Sequence, residues 1–217
     1  MNINHDQVAQ FLKDHPDFFS QHSDLLTALS VPHPYSGQTI SLGERQVMIL
    51  RDRARGLEVK LREFIQFAEE NDAIGEKLHR LGLGLLRARS LEAVLQALYL
   101  SLREDFSVPH ACLRLWTAGT PPELTEFTPA SDLLRTLADE LQQPRCGHEA
   151  PEEVRLWFGE ASPNLRSFAL APLREGNVQG LLVLASEDAK RFYPEMGTLY
   201  LSWLAEQAAA AVSRFVG

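Results

Sequence analysis

Between Leu42 and about Leu86, apolar residues recur at alternating steps of three and four, the period of one sustained amphipathic helix. Val47, Leu50, Ala54, Leu57, Leu61, Phe64 and Ala68 fall on the a and d positions of a heptad and Asn71 on the next d, with charged residues on most flanks. Ser41 stands where an N-cap is needed, and Glu44 completes a capping box with it. At about 1.5 Å per residue such a helix is roughly 65 Å long, more than a monomeric core of this size covers. Each large side chain left wet forgoes about 1.5–3 kcal/mol. A second copy alongside is the expected cover, and in a parallel pair Arg53 of one copy meets Glu58 of the other. A long helix packed on its own chain stays open as the alternative. After Asn71 the apolar spacing slips to Ile74, Leu78, Leu81 and Leu85. Gly75, Gly82 and Gly84 weaken the helix there by about 1 kcal/mol each relative to alanine, so the seam is expected to loosen.

The flanking patterns are shorter. Asn4 to Lys13 reads as a helix with Val8, Phe11 and Leu12 on one face, ended by Pro16, and Asp24 to Leu29 reads as a second helical piece. Val31-Pro32-His33-Pro34-Tyr35-Ser36-Gly37 is expected to form a loop. From Ser90 the pattern becomes α+β. It predicts an amphipathic helix at Leu91 to Phe106 and an alternating strand at Ala111 to Thr117. Loops from Ala118 to Pro163 surround a helix at Ser131 to Gln142. Strands Ser167 to Arg174 and Val178 to Ser186 join at a Gly176-Asn177 hairpin turn, and a helix from Pro194 to Phe215 follows. The expected organisation is a helical cap at residues 1–41, a coiled-coil-like helix at 42–88 and a compact domain at 89–217.

Charge and cysteine content narrow the function classes. Lys+Arg 21 against Asp+Glu 29 gives a net charge of -8, the wrong sign for broad neutralisation of phosphates, so nucleic acid is not an expected partner. The local excess of Arg45, Arg51, Arg53, Arg55, Lys60 and Arg62 reads as a solvated helix flank. The first six residues lack the basic start and apolar core of a secretory signal, and no stretch approaches the roughly 18 apolar residues of a membrane span. A cytoplasmic setting is the default, and there Cys112 and Cys146 are expected to stay reduced.

No catalytic motif matches the helix in strength. Cys146-Gly147-His148-Glu149 gathers a thiol, an imidazole and a carboxylate, but zinc needs about four protein ligands and no second pair stands near. A surface loop is the expectation, and no metal is expected. Cys112, mid-strand, reads as a small apolar packer. His15 and His33 read as capping and loop histidines, and Glu69-Glu70 and Glu152-Glu153 as solvated helix faces. Trp116, Phe127, Trp157 and Phe168, with Phe158, are the aromatic stock for a pocket over the sheet, and Arg166, just ahead of the strand at Ser167, is the candidate contact for an anionic ligand, with solvent exposure its competing account. Core packing is the competing account of these aromatics.

The C-terminal part resembles a GAF domain. The likeness rests on Ala171-Pro172-Leu173, on Gly180-Leu181-Leu182-Val183-Leu184, on Ser186, Asp188 and Phe192, and on a helix from about Glu195 with Leu199, Leu204 and Ala205. Gly180 suits a close backbone approach, Asp188 can cap a turn, and Phe192 can plug the sheet-to-helix corner. A narrower likeness covers nearly the whole chain. His15-Pro16-Asp17-Phe18-Phe19, Leu29, Val31-Pro32-His33-Pro34 and Ser41-Leu42 with Glu44-Arg45-Gln46 and Leu50-Arg51 resemble the bacterial domain of unknown function 484 family.

The resemblance implies an α+β fold with a GAF-like antiparallel sheet flanked by helices, after a helical cap and a long dimerising helix. GAF relatives bind cyclic nucleotides, bilins, haem, amino acids or nothing, so the fold selects no ligand or cofactor. The cyclic-GMP pattern is absent after Phe192, and neither cysteine matches a bilin attachment site. The expected function is a non-enzymatic cytoplasmic sensory or adaptor protein, a homodimer that couples a small molecule or protein partner to the paired helix. A module without a ligand, or a thiol enzyme like the free methionine sulfoxide reductases, are the alternatives.

Overall fold

A computed structural model describes residues 4–32, 39–117 and 123–216, grouped into two compact units, Met1–Ala68 and Glu69–Gly217. In the first unit α1 (His5–Asp14) opens with the Gln7 side chain accepting from the Asn4 amide at 3.1 Å and closes at His15, just before Pro16. Phe11 stacks edge-on against His15 at 4.4 Å and Phe18 at 5.9 Å, so His15 serves the aromatic cluster of the cap. Two short helices follow, α2 (Phe18–Gln21) and α3 (Ser23–Ala28). Of the segment expected to be a loop, Val31 and Pro32 instead lie in β1 (Ser30–Pro32), paired antiparallel with β2 (Thr39–Ser41) so that Val31 stands opposite Ile40, and residues 33–37 lie outside the described residues. Pro32 is tolerated because a two-stranded ribbon is all edge. His33 lies outside the described residues, as does the side chain of Ser41.

The long helix α4 (Leu42–Arg87) is continuous over 46 residues, so the predicted ends hold to within a residue at the start and a turn at the finish. Residues 42–68 belong to the first unit and 69–87 to the second.

The second unit is a four-stranded antiparallel sheet between two helical layers, an α+β fold. Its order is β3 (His110–Trp116), β6 (Val178–Ser186), β5 (Ser167–Glu175), β4 (Arg145–Gly147). Alternation sorts the side chains. Ala169, Ala171, Leu182 and Leu184 face a core shared with the end of α4, α5 (Leu91–Glu104) and α8 (Leu199–Ser213). Phe168, Leu170, Leu181 and Val183 face a second core with α6 (Asp132–Glu140) and α7 (Glu152–Leu156). Ser90 caps α5 by accepting from the Ala93 amide at 3.2 Å, and Ser131 caps α6 by accepting from Leu134.

Three details show how turn and corner residues of this unit pack. A Cβ on Gly180 would meet the Arg114 carbonyl oxygen at 2.6 Å, which is why β3 and β6 need a glycine there. Gly176 takes φ +56° at the first position of the β5–β6 turn, where a type II′ hairpin requires glycine. Asp188 accepts from the Lys190 amide at 2.9 Å, and Phe192 is buried.

Two expectations need correction. The last helix starts at Leu199, not Pro194, because a separate Tyr193–Met196 turn comes first and Gly197 and Thr198, both poor helix formers, stand between that turn and Leu199. Cys146-Gly147 is not a surface loop. It lies in β4, paired to β5 with Cys146 opposite Ala169, and the thiol is buried.

Candidate functional site

Three places in the molecule have the chemistry for recognition. The first is the seam of α4. Leu50 is 63% exposed, Leu57 61%, Leu61 59% and Phe64 70%, and Val47, Ala54, Ala68 and Asn71 are exposed with them. The exposed apolar surface is broader than the a and d positions, since Ile49, Val59, Ile65 and Phe67 are open to solvent on the flanks. Beyond Asn71 the stripe changes its task. Gly75 and Gly82 occupy the next two a positions, while Ile74, Leu78, Leu81 and Leu85 pack into the core of the second unit. A Cβ on Gly82 would meet Gln207 Oε1 at 3.3 Å, so Gly82 lets α4 approach the Gln207 side chain closely, whereas Gly75 has open space around it. Arg214 donates to the carbonyls of Leu85 and Ala88 at 3.2 and 3.3 Å, satisfying the C-terminal end of α4.

The second place is the sheet face that carries the predicted aromatic pocket. The five residues do not converge. Trp116, Trp157 and Phe168 belong to the core against α6 and α7, whereas Phe127 is buried on the opposite face of the sheet. Arg166 is exposed, and its amide donates to the Ser186 carbonyl at 2.8 Å. The aromatics already have partners. Trp116 Nε1 donates to Gln179 at 3.1 Å, Arg114 lies 5.0 Å over the Trp157 ring, and Arg155 lies 5.4 Å over Phe168. Glu153, expected on a solvated face, instead accepts from the Ser131 amide and hydroxyl and ties α7 to the start of α6.

Cys146 belongs to the core on the opposite face of the sheet, and Cys112 lies beside Trp157. Burial pushes the Cys146 thiol up, away from the thiolate. Cys112, whose Sγ donates to the Trp157 carbonyl at 3.6 Å, is likewise pushed up by burial, with Arg114 opposing and Glu126 reinforcing the shift. Such surroundings are the reverse of those that activate a cysteine. Among the described residues no three His, Cys, Asp or Glu side chains converge as a metal site would require.

The third place was not visible in the sequence. On the helical side of the sheet a cleft of about 320 Å³ opens between α4, the end of α5, and the turn that leads into α8. Leu102, Val108, Leu184 and Leu201 form its floor, and Met196, Tyr200 and Phe106 its walls. Its charged lining residues are both cations, Lys77 and Arg191. Arg191 Nη2 donates to the Phe106 carbonyl at 2.6 Å, which anchors the guanidinium at the cleft. Lys77 Nζ lies 5.9 Å over the Phe106 ring. Ser107, next to Phe106, holds φ +55°, the only non-glycine among the described residues in that region. The cleft draws on Ile74 and Lys77 from one end of the unit and Arg191 to Leu204 from the other, so no short spacing announces it.

No helix among the described residues is long and apolar enough to cross a membrane. The profile of the family described as "Protein of unknown function, DUF484" matches residues 1–217. Relatives over most of the chain share the description "Uncharacterized protein YigA". The one from Salmonella typhimurium strain LT2 is 26% identical over 216 residues, covering 96% of this chain and 91% of the relative. The Shigella flexneri protein is 27% identical and the Escherichia coli K12 protein 26% identical over 220 residues, with the same coverage of 96% and 91%. With the whole chain matched, from the cap through α4 to the end of α8, this protein belongs to the DUF484 family.

Proposed function

We propose that the chain is a non-enzymatic cytoplasmic sensory or adaptor protein that acts as a homodimer, its GAF-like second unit coupling a small ligand or protein partner to paired α4 helices. One observation carries the reading. A single uninterrupted helix has a wet apolar stripe over residues 47–68, while its end is built into a core by Ile74, Leu78, Leu81 and Leu85. A change in that core therefore acts directly on the helix, and a coupling of about 1–3 kcal/mol between sites would suffice for signalling. The strand–hairpin–helix order and the close approach at Gly180 support the GAF-like reading.

Sedimentation equilibrium of the full chain at micromolar concentration tests the premise. The expected mass is that of a dimer, and the double variant Leu57→Asp with Leu61→Asp is expected to fall to a monomer. A monomeric parent refutes the reading, and an unchanged mass in the variant moves the interface away from this seam.

A second reading is an interaction module without a ligand. The packing of Trp116, Trp157 and Phe168 against their own neighbours favours it, because that sheet face is filled by side chains. Native mass spectrometry of protein purified gently from cells separates the two, since a retained adduct belongs only to the sensory reading.

A further inference from the structure

We propose that the cleft between α4, α5 and the turn before α8 binds one molecule of a monomeric amphipathic carboxylate, with its chain on the leucine floor and its head between Lys77 and Arg191. The inference rests on the reading that the second unit takes a small ligand, and it names where and of what class. The argument begins with charge. On a chain of net charge -8, this apolar cleft has two cations and no carboxylate among its lining residues. An anion is the complement. Both cations are held at the cleft by the same residue, Arg191 through the Phe106 carbonyl and Lys77 over the Phe106 ring. A guanidinium has five N–H donors in a planar fork, and the bond to Phe106 uses one terminal nitrogen. The remaining donors suit a carboxylate.

Size sets the length of the chain. With about 30 Å³ for each water-sized group, 320 Å³ holds on the order of ten non-hydrogen atoms. Leu102, Val108, Leu184 and Leu201 offer no side-chain hydrogen-bond partner, which favours a hydrocarbon chain over a sugar against them. The location also fits a signal. Ile74 and Lys77 lie on α4 immediately after the slip at Asn71, so occupancy bears on the helix at the point where its stripe turns into the core.

Decanoate is the probe, titrated calorimetrically into the full chain below its micellar concentration, with decan-1-ol and decyltrimethylammonium as neutral and cationic controls. Decanoate is expected to saturate at one per chain and to bind about tenfold more tightly than decanol, a charge-assisted bond being the difference. Lys77→Gln, at a half-exposed helix position, is expected to weaken decanoate about five- to tenfold and leave decanol unchanged. Met196→Trp, which fills the cleft, is expected to abolish binding of both. Equal affinity for the three amphiphiles overturns the proposal, as does decanoate binding indifferent to both substitutions, or association only with phosphatidylglycerol vesicles. The two readings fail separately. Saturable decanoate binding to a chain that sediments as a monomer keeps the site and removes the sensory dimer. A dimer that ignores decanoate keeps the dimer and removes the site.

Discussion

In the second unit Leu98, Leu113, Phe168 and Leu182 are shut off from solvent completely, whereas no described residue of the first unit is buried and Phe64 is 70% exposed. Both regions are patterned with equal care. The sheet strands alternate so that one set of side chains meets α5 and α8 and the other meets α6 and α7, and each face finds its cover within the unit. The helix stripe repeats over three heptads and has no such cover within its unit. A lone helix draws little stability from propensity, most of it coming from an apolar face packed on something else. An apolar surface of that length, left wet in one copy, is what the proposed dimer would cover. The contrast turns on where the partner comes from.

The strongest way to sharpen the contrast is to delete the same side chain in both places. Leu98→Ala, in the closed core, is expected to destabilise the second unit by about 2–5 kcal/mol, read by urea unfolding. Leu57→Ala is expected to leave a dilute monomer within about 0.5 kcal/mol of the parent, as surface substitutions do. It is also expected to weaken association in concentration series, with a loss that grows as the parent dimerises. Equal costs for the two deletions at all concentrations would erase the distinction between the units.

Gly180→Ala follows in size. The added methyl would lie 2.6 Å from the Arg114 carbonyl and 2.8 Å from Leu115 Cδ2, so β3 or β6 must shift. Overpacking of this sort costs about 1–3 kcal/mol. Gly75→Ala has nothing within 4 Å of the new methyl, and with helix propensity on its side it is expected to stabilise α4 by up to about 1 kcal/mol. Thermal unfolding of both variants checks the opposite signs.

What the sequence makes legible follows the same division. Long periods are readable, so α4, α5, β3, β5 and β6 stand close to where alternation or the helical repeat puts them. The slip after Asn71 is also readable, and it marks where the apolar stripe passes from exposed positions into the chain's own core. Short elements are not readable. The three-residue strand β4 and the β1–β2 ribbon have too few positions to show a period, and proline in Val31-Pro32 points the other way. Local rules also misplace the start of α8, because Pro194 suits the turn that ends at Met196 as well as a first helical turn, and Gly197 and Thr198 delay the helix. The aromatic pocket fails for a further reason. Type alone does not assign a face, and Phe127 is separated by the sheet from Trp116, Trp157 and Phe168. Lys77, Phe106 and Arg191 meet only through the fold.

The smallest expected effect concerns alkali, and it belongs to the second unit alone. Burial pushes the thiols of Cys112 and Cys146 up from an ordinary value of 9.0, and burial with the neighbouring Glu126 carboxylate pushes the Tyr99 phenol up from 10.0. The Tyr99 hydroxyl donates to Glu126 at 3.1 Å, a bond that ionisation would turn into repulsion. Well below pH 9 both folded and unfolded chains keep these protons, so these groups add no slope there. As pH rises past 9 the unfolded thiols lose protons first, and past 10 the unfolded phenol does the same. The unfolded state then binds fewer protons than the native state, so stability falls with rising pH. Urea midpoints measured from pH 8 to 11 are expected to decline, with Tyr99→Phe flattening the upper part of the slope. A midpoint that rises over that range would mean these three groups are not sheltered, and that the second unit is more open than its buried core implies.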